Sequence, residues 1–173
     1  MFTCIWPLAL DEAQSWRLRF LADYWETKKA GRALPERNDF DLADLKHILP
    51  YLLVAEIEPE PFRVFYRLTG TKVVEMCGDL TGRYLDQLGN SQSPWIKEGR
   101  DSYHQAWSSR SSFLGKYIWP TMRGAACTVE FGIFPLNVPG RPMQCFSLED
   151  YHFRASSVAS RDTLVPFTSK NNQ

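Results

Sequence analysis

Residues 62–88 decide the fold, and they read FRVFYRLTGTKVVEMCGDLTGRYLDQL. Apolar side chains occupy every second position from Phe62 to Leu68, and arginines occupy two of the positions between them. This period of two predicts a β-strand with one buried face. The period changes at Thr69-Gly70. Beyond it, the apolar residues of 73–76 share a face only on a short helix, which Gly78 ends.

A second short helix is predicted directly after the first. Thr81 is placed to cap it, and Tyr84, Leu85 and Leu88 would then point inward. A strand that runs into two broken one-turn helices leaves backbone groups and side chains that line a space. The pattern therefore indicates a pocket or a loosely filled core beside the strand.

A longer helix is predicted before this stretch, from Asp11 to Ala30. Asp11 is placed to cap its start, with Gln14 as the partner in a capping box, and Gly31 is placed to end it.

Trp16, Phe20 and Tyr24 form an aromatic stripe on that helix, at a spacing of four residues. We consider two interpretations. In the first, the stripe packs on the core of its own domain. In the second, it forms the seam of a homodimer, because three large exposed aromatic side chains need a cover. We predict the homodimer, with these three residues at its two-fold interface.

The rest of the chain predicts a short helix capped by Asp41, a strand at 51–58 and a hairpin turn at 59–61. A long helix starts at Ser93-Pro94, the typical pairing of cap and first helical residue. Alternating apolar residues then predict an antiparallel meander, with strands at 112–120, 125–136 and 143–153. The polar tail, residues 154–173, is predicted to be disordered and dispensable for folding.

The segment RLTGTKVVEMCGDLTGRYLDQL, residues 67–88, resembles the core motif of a family of small bacterial PAS-domain proteins. The preceding LADYWETKKAGRALPERNDFDLADLKHILPYLLVAEIEPEP, residues 21–61, is similar to the leader of the same family. The resemblance implies an α+β PAS fold with a five-stranded antiparallel sheet, helices on one face and an N-terminal leader helix. It divides the chain into a leader at 1–38, a PAS domain at 39–153 and the tail.

Composition limits the classes of function. The 20 Lys and Arg balance the 20 Asp and Glu, so the net charge is zero, and neither a nucleic-acid partner nor a membrane surface is expected. No apolar run approaches the roughly 18 residues of a membrane span, and no signal peptide is expected at the start of the sequence.

The four cysteines at 4, 77, 127 and 145 have no paired spacing, which favours free thiols in a cytoplasm.

The residues identify no cofactor, and metal, haem and flavin are each disfavoured. His47, His104 and His152 lie in separate elements, so a metal site is not predicted. Haem would need His104, which lies beside the buried stripe of its helix. Flavin photosensors of this fold carry an arginine and a glutamine that are missing around Cys77.

The remaining ionisable residues point to no catalytic site. The acidic residues that could pair are interpreted as exposed charges. They are Glu75 with Asp79, and Glu130 with Glu149.

The predicted function is therefore that of a non-catalytic sensory or regulatory PAS module. It would bind a small molecule or a signalling partner protein. The alternatives are a ligand-free protein-interaction adaptor and a small cone-shaped α+β isomerase. The predicted cavity lining consists of Tyr66, Tyr84, Leu85, Leu88, Tyr103, Trp107 and Phe131.

Overall fold

The computed structural model describes residues 5–90, 93–120 and 126–153. Its strands are β1 (Trp6–Pro7), β2 (Leu52–Pro59), β3 (Phe62–Thr69), β4 (Phe113–Pro120), β5 (Ala126–Leu136) and β6 (Gln144–Phe153). Its α-helices are α1 (Trp16–Lys29), α2 (Leu42–Leu45), α3 (Thr71–Cys77) and α4 (Pro94–Ser109). Short 3-10 turns lie at Leu10–Glu12, Arg37–Asp39, Leu49–Tyr51 and Leu85–Gln87.

The strands form one antiparallel sheet in the order β1-β4-β5-β6-β2-β3. The hairpin β2–β3 and the meander β4–β5–β6 are confirmed, with β6 joining the two by pairing with β2. The sheet has six strands and not the predicted five, because β1 pairs with Lys116 and Gly115 at the edge of β4. A two-residue strand is too short to show the alternation that predicts strands.

Helices cover both faces of this sheet. Helices α3 and α4 pack on the side that we call the inner face, which carries Tyr66, Phe131 and Ile133. Helix α1 packs on the opposite side, the leader face, which carries Phe134 and Leu148. Both faces of β5 and β6 are therefore covered along most of their length, so these strands bury polar residues such as Glu130 and Asp150 together with their apolar ones.

Helix α1 starts at Trp16, so the predicted start at Asp11 is wrong. The cap is Ser15, whose Oγ accepts a hydrogen bond from the Leu18 N–H at 3.0 Å. The buried Glu130 carboxylate accepts the backbone N–H groups of Gln14 and Ser15, at 3.0 Å and 2.8 Å. These contacts between distant residues hold the chain extended just before the helix, so local sequence could not place the start.

The aromatic stripe of α1 is only partly covered by its own domain. Trp16 is 49% exposed and Phe20 is 37% exposed, so these two do not pack on the core. Tyr24 does pack against the buried cluster of the leader face, with its ring 5.4 Å from that of Phe40. The buried residues of the helix are Leu18, Leu21, Ala22 and Trp25. Gly132 permits this packing, because a Cβ at that position would lie 2.6 Å from Leu18 Cδ1.

Helix α3 is confirmed and ends as predicted at Gly78, which has a φ of 85°. The second predicted short helix is only the 3-10 turn Leu85–Gln87. Thr81 does not cap it. Instead, the Thr81 N–H donates to the Asp79 carboxylate at 2.9 Å in a turn of its own. The predicted tail lies outside the described residues, and the domain boundary at residue 39 stays a prediction.

Candidate ligand-binding site

Two buried tyrosines connect the inner face to α4. The hydroxyls of Tyr103 on α4 and Ser147 on β6 form a hydrogen bond of 2.7 Å. The ring of Tyr66 on β3 lies edge-on to that of Tyr103, with centroids 6.4 Å apart. Burial raises the pKa of both tyrosines well above the usual value, so both phenols are neutral at physiological pH. The group is therefore a set of neutral polar contacts inside an apolar layer.

A second polar cluster lies on the inner face near the end of α3. The Tyr151 hydroxyl donates to Glu149 Oε2 at 2.6 Å. Cys77 Sγ lies 3.7 Å from the Tyr151 oxygen. Burial raises the pKa of Glu149, and burial followed by the nearby Glu149 charge raises the pKa of Cys77 to about 12. Cys77 is thus a neutral thiol and is not poised as a nucleophile.

A cleft of about 350 Å³ opens at the edge of this layer, between β3, the turn 85–87 and α4. It is lined by Phe62, Arg63, Val64, Leu85, Asp86, Ile96, Lys97 and Arg100. Three of these residues also belong to the buried apolar cluster that contains Tyr66 and Tyr103; they are Val64, Leu85 and Ile96. The cleft is therefore continuous with the interior of the domain.

One ion pair fixes a wall of the cleft. Arg63 Nε and Nη2 donate to the two oxygens of Asp86, each at 2.8 Å. The Arg63 guanidinium also lies over the Tyr84 ring, 3.6 Å from its centroid. The hydrogen bonds from Arg63 lower the pKa of Asp86, and the charges of Arg63 and Arg100 contribute further. The geometry is bidentate, which orients both side chains.

The structure brings most of the predicted cavity residues together. The buried cluster on the inner face includes Tyr66, Leu85, Leu88, Tyr103 and Phe131. Trp107 packs against the edge of that cluster, next to Phe62. Tyr84 does not join them, since its hydroxyl donates to Glu58 at 2.7 Å on the outer side of β3. Whether any of these residues contacts a ligand stays a prediction.

Sequence reasoning missed the buried polar residues of β5 and β6. The interpretation of Glu130 as an exposed charge is wrong, because this residue is 4% exposed beneath the start of α1. Glu149 lies on the opposite face, so the two do not pair. Period two along β6 was the available signal, because it places Ser147, Glu149 and Tyr151 on the face of Cys145.

The histidine considered for haem lies at the surface beside the cleft. His104 is exposed and contacts the rings of Phe62 and Trp107, with centroids 4.9 Å and 5.5 Å away. Within residues 5–90, 93–120 and 126–153, no group of three or more His, Cys, Asp or Glu side chains could hold a metal ion. Cys77, Cys127 and Cys145 carry free thiols, and Cys4 lies outside the described residues.

The fold and the inner layer are those of a PAS domain. The PAS domain family matches residues 14–101, just over half of the chain, and the match includes the leader helix. This chain belongs to the PAS domain family, which indicates a sensory or regulatory module. Comparison with curated proteins finds no match to this chain. Among the described residues, no helix is both long enough and apolar enough to cross a bilayer.

Proposed function

We propose that this chain is a non-catalytic PAS sensor that binds a small molecule in the cleft beside α4 and signals to a partner protein. The observation that carries the proposal is the cleft itself, whose volume of about 350 Å³ falls within the range of small-molecule sites. An apolar floor and a few convergent polar groups are the usual composition of such a site. The module is proposed to act in a cytoplasm, where its thiols would stay reduced.

The mechanism proposed is a shift between conformations of the inner layer. A ligand in the cleft would contact β3, α4 and the turn 85–87 together. It would therefore favour the arrangement in which these elements are closest. The size of the shift in the conformational equilibrium is set by the difference in the ligand's binding free energy between the two arrangements. A partner protein that distinguishes the arrangements would receive the signal.

The test is native mass spectrometry of the purified wild-type protein and two tryptophan variants. Lys97→Trp places a large ring at the rim of the cleft. The control, Lys46→Trp, places the same ring at an exposed position just after the C-terminal end of α2. We expect the wild type and Lys46→Trp to retain a bound small molecule and Lys97→Trp to lose it. If no preparation carries a ligand, and if small-molecule extracts fail to raise the melting temperature, the ligand-free adaptor is the better explanation.

We further propose that the module is a homodimer that pairs through the outer face of α1. This proposal is supported by the exposure of Trp16 and Phe20, and by the stacking of Phe20 on Tyr24 with centroids 5.8 Å apart. Two such surfaces related by a two-fold axis would cover each other.

Phe20→Glu tests the dimer without disturbing the core, because Phe20 does not face the sheet. The matched control is Leu68→Glu, which changes a 49% exposed residue on β3. Analytical ultracentrifugation should show a dimer for the wild type and the control, and a folded monomer for Phe20→Glu. A wild type that is monomeric at high concentration would refute the proposal.

A further inference from the structure

The cleft beside α4 carries more positive than negative charge, although the whole chain is neutral. Its described lining includes three cations, Arg63, Lys97 and Arg100, and a single carboxylate, Asp86. Such a local excess makes the cleft attractive to anions, since apolar walls reduce the screening by water.

Two of the three cations remain available for a ligand. Asp86 is engaged by both donors of Arg63, at 2.8 Å each. Lys97 and Arg100 are exposed, and neither forms an ion pair within the described part of the chain. They lie three residues apart on α4, a spacing that places two side chains on the same side of a helix.

The floor of the cleft favours an apolar body. Val64, Leu85 and Ile96 are only 2%, 5% and 3% exposed, and they come from three different elements. Phe62 forms one side and is held by contacts with the rings of His104 and Trp107. Because the three floor residues are almost fully buried, the half-buried ring of Phe62 supplies most of the apolar surface that a ligand would contact.

We infer that the cleft binds a small amphipathic organic anion. Lys97 and Arg100 bind its anionic head, and the apolar body packs against the ring of Phe62, above the buried floor of Val64, Leu85 and Ile96. Arg63 stays paired with Asp86 and shapes the wall. This inference rests on the proposed function, because it names the chemical class of the ligand for the same site.

The probes are 4-phenylbutyrate and its neutral counterpart 4-phenylbutan-1-ol, titrated into the full chain and followed by backbone amide chemical shifts in NMR. We expect 4-phenylbutyrate to bind saturably and to shift the amides of Val64, Leu85 and Ile96. In the double variant Lys97→Gln/Arg100→Gln, its affinity should fall at least about tenfold, since each removed contact is a charge-assisted one. Added salt should weaken the binding of 4-phenylbutyrate and leave that of the alcohol unchanged.

The control is Lys46→Gln/Lys116→Gln, which removes two exposed positive charges outside the cleft lining. It should keep the affinity for 4-phenylbutyrate within about twofold, because charges beyond a Debye length are screened. The inference is overturned if the cleft variant keeps its affinity, if acid and alcohol bind equally, or if the acid does not bind. The proposed function survives those results when the alcohol or a co-purified neutral molecule occupies the cleft. If no molecule occupies the cleft, both the inference and the proposed function are refuted.

Discussion

Replacing Ser15 by alanine removes two buried hydrogen bonds at the start of the leader helix. Ser15 is 1% exposed, and its Oγ caps the helix through the Leu18 N–H at 3.0 Å and donates to Asp150 at 2.6 Å. Loss of a cap costs about 0.5–2 kcal/mol, and loss of a hydrogen bond to a charged group costs about 1.5–3 kcal/mol. The two share one oxygen, so we expect a combined loss of about 3 kcal/mol.

Urea denaturation followed by circular dichroism measures this loss. In a domain of this size, about 3 kcal/mol corresponds to a fall in melting temperature of roughly 6–12 °C. Thr27→Ala is the matched control, because its hydroxyl bonds the Asp23 carbonyl on the exposed side of the same helix. The control should change stability by less than about 0.5 kcal/mol. If Ser15→Ala is equally mild, the leader helix does not depend on this junction and the reasoning is refuted.

Three further substitutions test the inner layer by the same denaturation assay. Gly99→Ala should stabilise the protein by about 0.5–1 kcal/mol, because the new Cβ would meet Leu85 Cδ2 at an ordinary 3.6 Å; a loss would mean that α4 needs a closer approach. Gly70→Ala should destabilise it by more than about 2 kcal/mol, because a Cβ there would lie 2.5 Å from two carbonyl oxygens of the turn Leu49–Tyr51; unchanged stability would contradict this. Burial raises the pKa of Glu149 in the folded state. The wild type therefore loses stability as the pH rises from the pKa of Glu149 in the unfolded chain to its higher pKa in the folded protein. The stability of Glu149→Gln relative to the wild type should therefore increase from pH 5 to pH 8, and a constant difference would show that the carboxyl is not desolvated.

The elements that the sequence predicts well are those whose signals are local. Helix α3 ends where the sequence predicts, because Gly78 stops it at a positive φ. Helix α4 starts where Ser93-Pro94 predicts. The strands β4, β5 and β6 differ from their predicted ranges by one residue at most. In each case a nearby residue type determines the end of the element.

The features that the sequence did not predict depend on contacts between distant residues. The start of α1 is set by Glu130 and Asp150, more than 100 residues away. The direction of the aromatic stripe depends on Gly132, which lets the Leu18 side of the helix approach the sheet. The cleft needs β3 and α4 side by side, so no single stretch of sequence shows Lys97 and Arg100 facing an apolar floor.

Strand β6 joins the two sides of the sheet through alternate residues. Glu149 and Tyr151 belong to the polar cluster of the inner face, whereas Asp150 between them binds Ser15 at the start of the leader helix. Successive residues of a strand are separated by only about 3.3 Å. A ligand that displaced β6 from the inner side would therefore also move the anchor of α1. The cleft reaches this strand through α4, because Tyr103 on that helix is hydrogen-bonded to Ser147 on β6 at 2.7 Å. Because α1 carries Phe20 on its outer face, β6 connects the helix that lines the proposed ligand site with the proposed dimer surface.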